Sequence, residues 1–156
     1  LSAGFVARTF GDVDIDLACA LHRDAFVPMG ERAWTPQEMA ELLASPGVAG
    51  IVLQGDGQKI GFALCRTAAD EAELLTIAVH ADWRRRGAGY ALVKAAIDLV
   101  RARGAREFFL EVGDDNASAR KLYERAGFKV VGHRIAYYRR TNRPAVDALV
   151  MRLALV

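Results

Sequence analysis

The stretch that most constrains the fold runs from Glu73 to Lys94, Glu-Leu-Leu-Thr-Ile-Ala-Val-His-Ala-Asp-Trp-Arg-Arg-Arg-Gly-Ala-Gly-Tyr-Ala-Leu-Val-Lys. Its opening alternates Glu73, Leu75, Ile77 and Val79 with Leu74, Thr76 and Ala78, the period of a β-strand with both faces largely buried. From Gly89 to Arg103 the apolar residues Leu92, Val93, Ala96, Ile97 and Val100 recur at helical spacing, with Lys94, Asp98 and Arg101 turned away. Gly104 supplies a stop. A further strand is expected at Glu107–Val112. Strand, helix and strand in that order form a crossover and imply a parallel pair.

Between the strand and the helix lies Arg84-Arg85-Arg86-Gly87-Ala88-Gly89, a basic turn that runs straight into a helix N-terminus. Gly87 and Gly89 let backbone N–H groups approach a ligand, and the first helical turn presents unpaired amides at the positive end of its dipole. A phosphate fits both features, and an exposed basic turn fits the same residues. The segment lacks the Lys and Ser/Thr of a Walker loop and the third Gly of a dinucleotide fingerprint.

The rest of the chain supplies partners for this unit. Strands are expected at 5–10, at Val48–Gln54 and Lys59–Arg66 as a hairpin around Gly55-Asp56-Gly57, and near Phe128–His133 and Asp147–Leu155. Helices are expected from Asp12 to about Phe26, from the capping box Thr35-Pro36-Gln37-Glu38 to about Leu43, and from Asn116 to Ala126. The 156 residues predict one α/β (α+β) domain, a mixed, mostly antiparallel sheet of about seven strands flanked by about four helices.

A net charge of +2 with both signs interspersed argues against a chain devoted to nucleic acid or membrane. Two basic clusters stand out, Arg84–Arg86 and Arg134 with Arg139, Arg140 and Arg143. No apolar run approaches a membrane span, so the cytoplasm is the expected compartment. Cys19 and Cys65 read as buried small residues. His22, His80 and His133 share no ligand spacing, so no metal is expected.

In its context Arg84-x-x-Gly87-x-Gly89 resembles the acetyl-CoA pyrophosphate loop of the GNAT acyltransferase superfamily. A second segment narrows the resemblance. Leu110-Glu111-Val112, Asn116-Ala117-Ser118-Ala119 and Leu122-Tyr123 through Gly127-Phe128 are similar to the pattern of N-acetyltransferases that modify protein α-amines. Within these, the segment resembles the bacterial ribosomal-protein-alanine acetyltransferases of the RimI type. Arg134-Ile135-Ala136-Tyr137-Tyr138 and Asp147-Ala148-Leu149-Val150-Met151 continue it, and the first 45 residues match only loosely.

The chemistry needs two proton handlers and an oxyanion donor, because an ammonium must lose a proton, attack a thioester and release a thiolate. The resemblance implies Glu111 as general base, with Glu73 as its rival, and Tyr123 as the acid that protonates the leaving sulfur. It assigns Asn116 and the main chain of Ile77, Ala78 and Val79 to the CoA arm, with Val79 N–H as oxyanion donor. The pyrophosphate falls to Arg84, Arg85, Arg86, Gly87, Ala88, Gly89 and Tyr90. Glu73, Tyr137 and Tyr138 would line the acceptor groove. On periodicity alone Tyr123 reads as a core aromatic on the face of Ala119 and Ala126. Glu111 reads equally as a partner for an arginine.

The implied co-substrate is acetyl-CoA, and the implied partner is a protein N-terminus, that of a small-subunit ribosomal protein. Monomer or weak dimer, no direct nucleic acid and no membrane complete the expectation. A lysine or small-amine acceptor is the alternative, and a CoA-binding regulatory domain without catalysis is the alternative of another class. Deprotonating an α-amine at pH 7 costs about 1–1.4 kcal/mol and a lysine about 4.6 kcal/mol. A single carboxylate is compatible with both.

Overall fold

The computed structural model describes residues 4–141 and 143–156, with Arg143 described in its backbone alone. Seven strands, β1 (Phe5–Thr9), β2 (Val48–Gly55), β3 (Gln58–Ala68), β4 (Glu71–Val79), β5 (Glu107–Gly113), β6 (Lys129–Arg140) and β7 (Arg143–Ala154), are interleaved with four helices. The helices are α1 (Ile15–Phe26), α2 (Pro36–Ala44), α3 (Ala88–Ala102) and α4 (Ala117–Arg125). One sheet holds the strands in the order β1-β2-β3-β4-β5-β7-β6. Its neighbours are antiparallel except β4 and β5, which is the expected mixed sheet with its single crossover through α3.

Local chemistry sets the boundaries. Asp56 and Gly57 both take positive φ, 50° and 76°, which closes the β2–β3 hairpin as a two-residue turn whose twist suits the strands. The Thr35 hydroxyl accepts from Glu38 N–H at 3.1 Å, and the Glu38 carboxylate accepts from Thr35 N–H at 2.9 Å, so α2 starts on the capping box expected of it. The first helix begins later than expected, at Ile15, because Asp12–Asp14 form a 3-10 turn. Asp14 is fully buried there, accepting from Gly11 N–H at 2.8 Å and holding Arg8 and Lys59 at 2.8 Å. Burial alone would raise its carboxyl, but these donors bring it down to about 2.

Two apolar layers sandwich the sheet. On one side Leu92, Val93, Ile97 and Val100 of α3 pack with Leu53, Phe108, Leu110 and Met151. On the other, Ala18, Leu21 and Met39 of α1 and α2 pack with Val52, Phe62, Leu64 and Ala78. Each large side chain buried in this way contributes roughly 1.5–3 kcal/mol. Cys65 is in the first layer, where burial pushes its thiol up to about 12, and Cys19 is in the second with its thiol also raised. Both are free and buried, as expected. No helix among the described residues is long and apolar enough to cross a membrane.

Two strands depart from the sequence pattern. In β4, Cys65 stands opposite Leu74 and Leu64 opposite Thr76, so Leu75 is an extra, bulged residue. The bulge reverses the alternation. Leu74, Ile77 and Val79 all pack on the α3 layer while Ala78 joins the other. Glu73 therefore does not share a face with Ile77 and Val79, and it is exposed. The second departure is β6, which runs seven residues beyond His133 to Arg140.

Candidate active site

The site begins where the sheet comes apart. β4 and β5 pair only at Glu71–Glu73 with Glu107–Phe109, although β4 continues to Val79 and β5 to Gly113. The Leu75 bulge follows the last paired residue and bends β4 away, as bulges do. Beyond it each strand has an edge without its neighbour. His80 N–H donates to Ile60 C=O across the β3 edge at 2.7 Å. Since main-chain groups alternate along an antiparallel pair, Ala78 also turns to β3, while Ile77 and Val79 turn into the slot. That corrects the expectation for Ala78, whose amide is spent on the sheet. Arg84 Nε caps Val79 C=O at 3.2 Å and leaves Val79 N–H facing the opening.

The basic turn follows. Arg84, Arg85 and Arg86 are exposed, Arg85 takes φ 60° and Gly87 φ 87°. The first bond inside α3 runs from Ala91 N–H to Gly87 C=O at 3.0 Å, so the amides of Ala88, Gly89 and Tyr90 have no intrahelical acceptor. Gly89 also serves packing, since a Cβ there would stand 3.1 Å from Leu122 Cδ2 of α4. Tyr90 lies under the Arg125 guanidinium at 4.4 Å, and Arg86 stacks on Trp83 at 4.2 Å.

On the far wall stands Glu111. Arg134 Nε lies 2.6 Å from its Oε2, but off the line of a hydrogen bond, so this buried oxygen has no hydrogen-bond partner among the described residues. The arginine partner that the sequence left open is therefore present. Tyr137 and Tyr138 meet edge to face at 5.3 Å, with Arg134 over Tyr137 at 5.0 Å. Burial raises the Tyr138 hydroxyl well above its ordinary range, and Glu111 and Glu31 push it further. Tyr123 is buried in the core with its ring edge to face on Phe128 at 6.0 Å, and its hydroxyl is raised by burial and then by Tyr138. The core reading of Tyr123 holds, and its hydroxyl is close enough to Tyr138 for the two to repel as they ionise.

Asn116 is the N-cap of α4 rather than its first residue. Its Oδ1 accepts from Ala119 N–H at 3.2 Å, and its Nδ2 points at Met29 Sδ, 3.9 Å away. The capping oxygen and one amide N–H are committed, so the second amide N–H is what is left for a ligand.

The family model described as the Acetyltransferase (GNAT) family matches residues 17–128. The chain belongs to that family. The [ribosomal protein bS18]-alanine N-acetyltransferase of Escherichia coli strain K12 is 39% identical over 103 residues, 66% of this chain and 69% of that one. The crystal structure of the ribosomal-protein-S18-alanine N-acetyltransferase from Escherichia coli superposes with a TM-score of 0.85 at 29% identity, covering 97% of this chain and 94% of the other. A mycothiol acetyltransferase of Clavibacter michiganensis is 33% identical over 144 residues, 89% of this chain but 47% of its own length. As a GNAT protein the chain is an N-acetyltransferase that uses acetyl-CoA. The donors around the slot suit that molecule: strand-edge amides for its amide-bearing arm, helix-start amides and arginines for its phosphates. No group of three or more His, Cys, Asp or Glu among the described residues is placed to hold a metal ion.

The sequence missed Arg140, Glu31 and Asp115. Arg140 is buried, donates to Asp115 at 3.1 and 3.3 Å, pairs with Glu31 at 3.5 Å and lies 5.1 Å from the Tyr138 ring centre. Thr141 ties in the same segment, its N–H donating to Gly30 C=O at 3.1 Å. The cluster of Arg134, Arg139, Arg140 and Arg143 is therefore no uniform basic patch. Arg140 is buried against its carboxylates, while Arg134 stays exposed and lies over Glu111. A signal existed in Asp114-Asp115, acidic residues at a strand end facing a basic strand, but their pairing needs the fold.

Proposed function

We propose that this GNAT domain transfers the acetyl group of acetyl-CoA to the α-amine of a protein N-terminus, an alanine-starting ribosomal protein being the leading candidate. The observation that carries the reading is the parted β4–β5 slot, with Val79 N–H on one wall and Glu111 on the other. Similarity to the bS18-alanine enzyme supports the acceptor.

Acetyl-CoA supplies the activated acyl group. Ile77 and Val79 hold its arm along the β4 edge, Asn116 donates its remaining amide N–H to it, and residues 84–90 take its phosphates. Glu111 accepts the proton of the incoming ammonium, directly or through one water, at a cost of about 1–1.4 kcal/mol for an α-amine at pH 7. Val79 N–H donates to the carbonyl oxygen as charge gathers there. Tyr123 serves the departing sulfur. A phenol raised above about 10 is a poorer acid than a thiol near about 8.5, so Tyr123 acts chiefly by hydrogen bonding to the thiolate rather than by surrendering its proton. Tyr137, Tyr138 and Glu73 line the acceptor approach, with Glu73 at the apex where the two strands part.

A small-amine acceptor is the second reading, favoured by the longer match to the mycothiol acetyltransferase. One experiment separates the two. Acetyl transfer is followed by mass spectrometry on peptides with free N-termini and no lysine, blocked peptides with lysine, and small amines. Selective modification of Ala-starting termini supports the first reading. Turnover confined to lysine or small amines overturns it and keeps the chemistry.

A further inference from the structure

Strand β6 shifts register against β7 in three places, between Val130 and Gly132, between Arg134 and Tyr138, and between Tyr138 and Arg140, and the middle one is the largest. Arg134 stands opposite Ala148 and Tyr138 opposite Val146, so four steps along β6 run beside two along β7. In a regular strand the two side chains would be separated by about 13 Å, whereas the β7 register brings them to about 7 Å. Glu111 is opposite Val150 of β7. Val150, Ala148 and Val146 alternate onto one face, so Glu111, Arg134 and Tyr138 share that face. Arg134 reaches Glu111 at 2.6 Å from the regular register before the bulge, and the bulge is what brings Tyr138 up to the same face beside it, where the Glu111 charge raises its hydroxyl.

Burial does not account for the bulge. Ile135 near its crest is 85% exposed, and Ala136 takes φ 51°, a conformation disfavoured for every residue with a Cβ. Something else must hold it. The β7 residue facing the bulge is Asp147, between Val146 and Ala148, with its side chain on the opposite face of the sheet. Its Oδ1 accepts from Ala136 N–H at 2.7 Å, and its own C=O accepts from Asp114 N–H at 2.8 Å, beside the end of β5. His133 Nε2 is 3.7 Å from the other carboxylate oxygen.

We propose that Asp147 is a positioning residue for acetyl transfer: through Ala136 N–H it locks the bulge that places Tyr138 beside Arg134 on the face of Glu111. The role rests on Glu111 being the residue that receives the acceptor's proton. Asp147 itself touches neither substrate.

The test measures kcat and KM for whichever amine the wild-type enzyme acetylates, together with the affinity for acetyl-CoA and the crystal structure. Asp147→Ala is expected to lower kcat/KM for the amine by roughly tenfold to a hundredfold, the scale of small misplacements, with acetyl-CoA affinity unchanged. Asp147→Asn keeps an acceptor oxygen and is expected to retain most of the activity that Asp147→Ala loses. Ala136→Gly, added to Asp147→Ala, is expected to recover it, because glycine holds positive φ without an anchor. Ala136→Val attacks the bulge without touching the carboxylate and is expected to reproduce the loss. It carries the test if Asp147→Ala does not fold. Unchanged kcat/KM in Asp147→Ala or Ala136→Val overturns the proposal. So does a loss as deep in Asp147→Asn as in Asp147→Ala that the added Ala136→Gly also fails to restore, since the carboxylate would then act in another way. If no amine is acetylated, the function reading fails on its own, and the crystal structure of Asp147→Ala still decides whether the bulge relaxes and Tyr138 leaves the face of Glu111 and Arg134.

Discussion

The two walls of the slot are built on different principles. The donor wall is one contiguous stretch, from β4 through the basic turn into α3, and it works with main-chain groups: Val79 N–H, the edge of Ile77, the free amides of Ala88, Gly89 and Tyr90. The acceptor wall gathers residues 29–31, 111–115, 134–141 and 147 and works with side chains, held by Arg134 on Glu111, Arg140 on Glu31 and Asp115, and Asp147 on Ala136. Main-chain sites need a backbone path and a few glycines, and most side chains along them are free to vary. Side-chain sites assembled over long range fail when one member is lost. Substitutions on the acceptor wall should therefore strike acetyl transfer, and those on the donor wall should be felt mildly unless they alter the path.

The sharpest break in that contrast comes from the carboxylates. Glu111→Gln is expected to lower kcat by about 10²–10⁴-fold, the range for losing a general base, with acetyl-CoA affinity retained because the donor wall is untouched. Glu73→Gln should cost far less. Glu73 is exposed at the paired end of β4, and β5 separates it from Arg134. Steady-state kinetics with isothermal titration of acetyl-CoA reads both. Equal losses in the two variants would move the base to the apex of the slot.

Arg140→Ala should be the largest stability effect. The guanidinium is 1% exposed and its partners Glu31 and Asp115 are each 28% exposed, so its removal strands two half-buried carboxylates. Breaking such a pair costs about 3–5 kcal/mol, and partial exposure puts this one near the lower end. A fall in Tm of roughly 6–12 °C follows for a domain of this size. The acceptor KM should rise as the segment around Gly30 and Glu31 loosens, with acetyl-CoA affinity less affected. Differential scanning calorimetry and acceptor kinetics check it.

This split also explains what was legible in the sequence. The donor wall was read nearly whole, since strand period, glycines and helix period are local: α3 lies at 88–102 against an expected 89–103, and β5 at 107–113 against 107–112. What escaped there was the Leu75 bulge, because one extra residue reverses the faces without altering composition. On the acceptor wall, Glu111, Tyr137 and Tyr138 were named from a resemblance, and their surroundings were not. Residues 134–140, Arg-Ile-Ala-Tyr-Tyr-Arg-Arg, carry no alternation because the bulge interrupts it, so the second half of β6 read as no strand at all. Arg140 looked like a surface charge because its carboxylates lie 25 and 109 residues away along the chain.

A titration reports on the helix layer outside both walls. His22 of α1 is 3% exposed, sandwiched by Phe26 at 4.6 Å and Trp34 at 4.8 Å, with Nδ1 unpartnered among the described residues. Burial, reinforced by Arg32, lowers its pKa to about 4. The unfolded chain takes up this proton near pH 6.5 and the folded one only near 4, so between those values the unfolded state binds more protons. Stability should then fall as pH drops from about 6.5 to about 4, by about 3 kcal/mol from this group. Denaturant melts across that window should show the decline, and His22→Phe should remove this component from it. An unchanged slope in the variant would mean that other groups govern the decline.

The smallest effect is the one that tells most about the donor wall. Gly89 sits in the first turn of α3, where alanine would gain up to about 1 kcal/mol of helix propensity. Its new Cβ would stand 3.1 Å from Leu122 Cδ2, a crowding that the end of a leucine side chain can relieve by a small shift. The two terms nearly cancel, so Gly89→Ala should change Tm by no more than about 2 °C. Its amide N–H keeps its place at the helix start, and its Cβ projects toward α4 rather than the ligand approach. Acetyl-CoA affinity should hold within about threefold. That outcome would mean the second glycine is there for the approach of α4 to α3. A large loss of affinity with stability intact would mean that backbone proximity to the phosphates governs it, and the donor wall would then be less tolerant than its main-chain construction implies.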